Sequence, residues 1–367
     1  MNPTPTYHFP PPTPTLETQT LSNSDSDSNT NNNSTLLPRK WSNAPLSGNS
    51  PNNNDLRIMH FNVLAEGLSA DPSIPPPLPS LKTKESGFGG FDAVPNPALT
   101  LSFQNFRASL IIDEIKRISP SIISLVEVDH YEDFFVPILK SLGYTGSCYG
   151  AKDLAPGNEF GYFTDGVCLF WKESEFEADN INVGSYVQCA TATATFEKVP
   201  FAIVRLKMKT GEAAGTTIKV ATTHLKSKIG VSNEETRRRQ IGGVVDKLAE
   251  GEESDLYVLC GDCNTDPQQV GNVPALVVPY LVNECGFTSS YDISSNESSW
   301  TTWKKRGEKE SKHIIDYIFF KQKQKRWGVV RTLDPPEEKD VPVTRLPAIN
   351  YPSDHIAICC DLSILHF

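Results

Sequence analysis

Seven short polar clusters, each beside an apolar run, constrain this chain more than any single motif. In chain order they are His60-Phe61-Asn62, Val126-Glu127-Val128-Asp129, Asp165-Gly166, Thr223-His224-Leu225-Lys226, Gly261-Asp262-Cys263-Asn264, Ile315-Asp316-Tyr317 and Ser353-Asp354-His355. Six of the seven adjoin a segment that reads as a β-strand. Strands deliver side chains to fixed points, so groups remote in sequence can converge on one pocket. A carboxylate-rich pocket with histidines and asparagines, and no cysteine pattern to match, suits a hard divalent cation holding a phosphate.

Bulk composition narrows the function classes. The formal charge of -10 over 367 residues argues against a broad basic face gripping nucleic acid, but not against a locally basic, metal-loaded pocket for an anion. No apolar run reaches the length of a bilayer span. Eight cysteines are scattered through the sequence without a framework pattern, which favours packed, reduced thiols and a cytoplasmic setting. Cys260 and Cys263 form C-x-x-C, but a redox or zinc site needs a helix N-terminus or a second cysteine pair, so buried thiols are the preferred reading.

Residues 1–54 are dominated by Pro, Thr, Ser and Asn. Such a segment buries too little apolar surface to offset its ordering entropy, and it reads as a disordered tail. Its acidic residues and late first cation are the wrong pattern for a transit peptide. Residues 55–367 read as one catalytic domain with a long loop over 70–100, rich in Pro and Gly. Strands are expected at Arg57 to Leu64, Ser121 to Val126, Gly166 to Trp171, Phe201 to Met208, Thr216 to Thr223, Leu256 to Cys260, His313 to Phe320 and His355 to Ile364. Helices are expected over Phe103 to Ile118, Phe134 to Leu142 and Glu234 to Leu248, the last with Ser232 and Glu235 as a capping box. Adjacent strands without intervening helices imply partly antiparallel sheets, two of them face to face with helices outside.

Each cluster has an ordinary reading beside the chemical one. Glu127 is either a metal ligand at a sheet rim or a loop-start residue, and the acid and histidine that follow (Asp129, His130) favour the first. Thr223-His224-Leu225-Lys226-Ser227-Lys228 is either a solvated strand end or a histidine donating to a phosphoryl oxygen within a positive field. Gly261-Asp262-Cys263-Asn264 places an acid and an amide two apart, for water activation and phosphorane contact, on a glycine that permits a tight turn. An Asx turn would use the same residues. In Ser353-Asp354-His355 a metal-side carboxylate sits next to a phosphate-binding imidazole, with Asp316 a candidate to hold that imidazole protonated. No G-x-S-x-G elbow supports serine hydrolase chemistry.

Taken in order, these clusters resemble the endonuclease/exonuclease/phosphatase superfamily over about Leu56 to the C-terminus. Glu127-Val128-Asp129-His130-Tyr131, Leu142-Gly143-Tyr144, Thr223-His224-Leu225-Lys226, Thr301-Thr302-Trp303-Lys304 and Arg345-Leu346-Pro347 through Asn350-Tyr351-Pro352-Ser353-Asp354-His355 are most similar to its CCR4/nocturnin branch. The resemblance implies a DNase I-like four-layer α/β sandwich of two mixed, mostly antiparallel sheets. It implies Mg²⁺, with Mn²⁺ as the alternative, held by Glu127, with Asn62 and Asp354 beside it. Asp262 would align the attacking water, Asn264, His224 and His355 would contact phosphate, and Asp316 would orient His355. Asp165, Lys226, Lys228, Trp303 and Asn350 would meet substrate. The implied substrate is the 2′-phosphate of NADP(H), with poly(A) RNA as the alternative, on a monomeric enzyme without a membrane partner. The leucine-rich repeats of some CCR4-type enzymes are not seen before the domain, which favours the nucleotide. Departures from the branch are Phe61 for Trp, Val126 for Gln, Lys228 for Arg and Cys263 for a bulky apolar residue; lysine keeps charge but loses the bidentate fork. The rival of another class is a binding protein that has lost catalysis and uses the tail as an interaction arm.

Overall fold

A computed structural model of the chain describes residues 36–43, 55–69, 87–152, 165–189, 195–291, 299–324 and 326–365. Two mixed β-sheets pack face to face. The first runs Trp41–Asn43, Trp327–Leu333, Ile358–Ile364, Leu56–Asn62, Ile122–Val128, Gly166–Trp171 and Gly146–Ala151. The second runs Thr288–Ser289, Asp316–Gln322, Leu256–Asp262, Thr217–His224, Thr195–Met208 and Phe176–Cys189. Strands pair antiparallel except at the centre of each sheet, where Leu56–Asn62 joins Ile122–Val128 and Thr217–His224 joins Leu256–Asp262 in parallel. Those two parallel pairs carry Asn62, Glu127, His224 and Asp262 at or next to their C-terminal ends, and this shared polarity collects the clusters at one rim.

Alternation sets the layers. Along Leu256–Asp262, Val258 and Cys260 join the core between the sheets, while Leu259 turns outward. Ile318 and Phe320 likewise face inward and Phe319 outward. The helix Val231–Ala249 covers that outer face with Ile241, Val244 and Leu248. On the far side, Ala108–Ile118 covers the first sheet with Ile111 and Ile115. Cys260 and Cys263 therefore lie in different core clusters, both buried and free, and burial raises both thiols. The C-x-x-C spacing forms no redox or metal pair.

Several expectations need correction. Residues 1–35 and 44–54 of the expected tail, and 70–86 of the expected loop, lie outside the described residues. Leu36–Asn43, however, belongs to the domain. Leu37 is fully buried, Arg39 bonds Leu333 O and Ala357 O, and Trp41–Asn43 adds an antiparallel edge strand. Within 87–100, Pro97–Thr100 is a short helix. The helix over 231–249 starts at Gly230, whose φ of 144° needs glycine, and no side chain caps it. Ser232 and Glu235 sit inside the helix, so the capping box does not form. Glu234 instead points into the core, where it binds Arg237 Nε and Thr265 Oγ1. The expected strand over 313–320 is divided: Lys309–His313 pairs with Thr302–Arg306 as a hairpin, and Asp316–Gln322 joins the second sheet.

Candidate active site

Glu127 reaches the rim through a backbone irregularity. The pairing of Ile122–Val128 with Gly166–Trp171 slips between Val126 and Val128, and Glu127 has φ 58°. A bulge of this kind re-aims one side chain, at a conformational cost a non-glycine residue bears only when its surroundings enforce it. Its carboxylate accepts from Asn62 Nδ2 at 3.0 Å and from the Ala65 amide at 3.1 Å. Asn62 Nδ2 also donates to Asp262 Oδ2 at 3.0 Å, while Asn62 Oδ1 accepts from Leu64 N. Asn62 thus bridges two carboxylates through its amide nitrogen instead of offering its oxygen beside Glu127 as a ligand.

Asp262 lies at the centre. His224 Nε2 is 3.6 Å and His355 Nε2 3.8 Å from its Oδ2. The parallel register sets His224 directly against Asp262, and Gly261 sits inside the strand opposite Thr223. A Cβ on Gly261 would come within 2.7 Å of Thr223 O. Glycine is therefore required here by close backbone approach, not by a tight turn. The turn comes at Asn264, with φ 51° and its amide bonded to Asp262 Oδ1, so the Asx-turn reading describes it. Asn264 Nδ2 donates to Leu225 O at 3.1 Å, which directs the amide to the neighbouring loop.

His355 Nδ1 lies 2.8 Å from Asp316 Oδ2, and Asp316 is fixed in turn by Thr301 Oγ1, which accepts from its backbone N–H. Ser353 plays a structural part and ties the two ends of the site: its hydroxyl donates to Asn62 O at 2.6 Å and accepts from His355 N. Buried Arg107 was missed. It donates to the carbonyls of Val63, Leu64, Leu101 and Pro352 and so clamps the loop after Asn62 to the loop before Asp354. An arginine in an amphipathic helix pattern gives no signal of such a role.

Electrostatics separate the carboxylates. Burial pushes Glu127 up, but His224, Asn62 and His355 outweigh it and hold the group below the usual carboxylate range. Burial and the neighbouring Asp316 raise Asp262 instead. Burial opposes charge on His355, yet Asp316, Asp354 and Asp262 push it up to about 9, so the imidazolium is favoured at neutral pH. A carboxylate of raised basicity beside two imidazoles suits a general base facing hydrogen-bond donors.

The remaining expected residues are elsewhere or otherwise engaged. Asp354 is held by Lys304 at 2.7 Å and Arg306 at 3.3 Å, which keep it well below the usual range against burial. Asp165 pairs with Lys152 at 3.0 Å. Lys226 and Lys228 are exposed, and their carbonyls accept from Arg237. Trp303 is buried, its indole N–H donates to Glu310, and Arg345 and Lys312 lie over its ring. The Asn350 carbonyl accepts from the Leu37 amide at 3.1 Å. Asp129 and His130 likewise face other loops: Asp129 accepts from Gly67, and His130 pairs with Glu66 and Asp133.

One ligand atom each from Glu127, His224 and Asp262 lie within 4.8 Å of one another, and Asp262, Asp316 and His355 form a second such group. Two buried carboxylates at that separation fit a hard divalent cation, and shared Asn62 contacts pre-set their spacing.

The endonuclease/exonuclease/phosphatase family profile matches residues 85–355. Nocturnin of Xenopus laevis is 31% identical over 318 residues, 84% of this chain and 72% of its own length. Nocturnin of Homo sapiens is 30% identical over 319 residues, and there the chain spans 65% of the relative. The solved human nocturnin catalytic domain with bound sulfate superposes with a TM-score of 0.62 at 25% identity, over 90% of this chain and all of that one. ANGEL2, a 2′,3′-cyclic phosphatase, shares the fold with a TM-score of 0.61 at 20% identity, over 89% of this chain and 98% of its own. On the length of the profile match and the identity shared with the frog protein, this chain belongs to the endonuclease/exonuclease/phosphatase family of metal-dependent phosphoesterases, on its nocturnin-like side.

Proposed function

We propose that the chain removes the 2′-phosphate of NADP(H) with the help of Mg²⁺, Mn²⁺ substituting, in the cytoplasm and as a monomer. The observation that carries the reading is the convergence of Asp262 with His224, His355 and Glu127 around one small volume. Asp262, raised by burial and Asp316, takes a proton from the attacking water. His224 and His355 donate through Nε2 to the phosphoryl oxygens. Asp316 keeps His355 oriented and charged. A divalent ion held at Glu127 would neutralise phosphate charge and stabilise the leaving oxygen.

A small, compact anion suits the supply of cations. Lys304 and Arg306 are committed to Asp354 and Lys152 to Asp165, while the exposed Lys226 and Lys228 supply the nearby positive charge. The carboxylates and imidazoles of the site are all present, which speaks against a decayed binding protein. The test is to incubate the purified chain with NADPH or with oligo(A), each with Mg²⁺, alongside Asp262→Ala. Phosphate release from NADPH, reduced by orders of magnitude in the variant with an unchanged thermal transition, is the expected result. Shortening of oligo(A) with NADPH untouched would assign the poly(A) reading instead, and turnover unaltered in Asp262→Ala would overturn the site.

A further inference from the structure

Asp316 uses one carboxylate oxygen on His355, and its other oxygen is the unexplained one. Asp316 Oδ1 is fully buried and has no conventional hydrogen-bond partner among the described residues, and the same is true of His60 Nε2. These two atoms face each other at 3.5 Å. Buried polar groups left unpaired are costly, so two that confront each other are best explained as partners.

On that geometry we propose that His60 is a positioning residue: its Nε2–H holds Asp316 Oδ1, so that Oδ2 stays on His355 Nδ1. The inference rests on the catalytic reading of His355 given above. His60 is well placed to resist torsion. Its Nδ1 lies 2.8 Å from Ser124 Oγ, its parallel neighbour in register, and Ser124 Oγ lies 2.8 Å from Thr222 Oγ1 in the facing sheet. A continuous buried polar chain thus runs Thr222, Ser124, His60, Asp316, His355, crossing between the sheets and ending 3.8 Å from Asp262. Without the His60 contact, Asp316 is free to rotate about its terminal torsion, and the imidazole it steers loses its fixed direction. The phosphate-facing Nε2 then spends less time in line, which lowers turnover while leaving substrate binding to the other groups.

The test compares His60→Leu, which removes the donor, with His60→Gln, whose amide nitrogen can stand near the position of the imidazole Nε2. Two readouts are taken: kcat and KM with NADPH, and the downfield proton resonance of the His355 Nδ1–H in the substrate-free protein, assigned by its loss in Asp316→Asn. His60→Leu is expected to lower kcat about tenfold or more at nearly constant KM and to broaden or shift the resonance. His60→Gln is expected to restore both. Wild-type kcat and an unmoved resonance in His60→Leu would overturn the proposal. So would equal impairment of both variants with a lowered thermal transition, because that marks a packing role only. If the wild type leaves NADPH and oligo(A) alike unchanged, the functional reading fails, while the resonance still decides whether His60 holds Asp316.

Discussion

Glu127 shows how much of this site is made by single backbone choices. At φ 58° within a strand bulge it departs from the extended path on both sides, and Leu64, Lys228 and Asn264 are also left-handed non-glycine residues on loops at the same rim. Such conformations cost of order 1–3 kcal/mol each and are retained where the chain over-determines them. His130 contributes to that enforcement. It stacks on Phe103 at 4.3 Å and pairs with Glu66 and Asp133, thereby pinning the segment after Asn62. Burial opposes its charge, but the carboxylates prevail and push it up to about 10 from 6.5. A histidine raised on folding adds stability that is whole below the unfolded value near 6.5 and is lost as pH climbs through 10. Denaturant unfolding of wild type and His130→Gln should therefore show the largest stability gap at pH 6 and a narrower one by pH 10. A gap that widens with pH would contradict the ion-pair account.

At the level of elements, the strands with apolar runs were legible and those without were not. Leu56–Asn62, Ile122–Val128 and Leu256–Asp262 are buried on both faces, so each reads as a continuous apolar segment, and its polar end stands out. Phe176–Cys189 lies at a sheet edge with Glu177, Asn180 and Asn182 among its residues, and the hairpin at 302–313 is dense in charged residues of both signs; neither offers a clear period. The edge strand Trp41–Asn43 was hidden by its Asn- and Ser-rich surroundings. Its anchor is chemical: Trp41 lies 4.7 Å from the Arg57 guanidinium and 4.6 Å from that of Arg331, and both arginines bind Asp361. Trp41→Ala removes two cation–π contacts worth about 0.5–1 kcal/mol each, and a stability loss of roughly 1–2 kcal/mol follows. Because Asp361 pairs with Arg57 at the opposite end of the strand from Asn62, kcat should not change. A loss of turnover at unchanged stability would mean the edge strand communicates with the rim.

Across the whole molecule the site is a meeting of two sheets, which is why its membership was readable and its detail was not. Sequence order and strand ends identify Glu127, His224, Asp262, Asp316 and His355, since a residue's place at a strand tip is a local property. Whether Asn62 turns its nitrogen or its oxygen to the carboxylates, or whether Trp303 and Asn350 face substrate, depends on neighbours contributed by the other sheet and loops. Charge is the property that belongs to no single element. The chain carries a formal -10 overall, yet Lys226 and Lys228 stand exposed just past His224, while Lys304 and Arg306 are paired with Asp354. A global negative field with a small cationic patch favours an anion that touches the patch alone over one that extends across the surface. Each phosphate contact made by a single strand contributes a slope of about -0.7 in log affinity against log salt. An oligo(A) held through about six phosphates would therefore lose on the order of two decades between roughly 50 and 200 mM salt. NADPH, meeting only the patch, should show a KM that rises by no more than a few-fold over the same range. Steady-state kinetics at four salt concentrations measure both, and a steep salt loss for the preferred substrate would show that the surface beyond the rim takes part in binding.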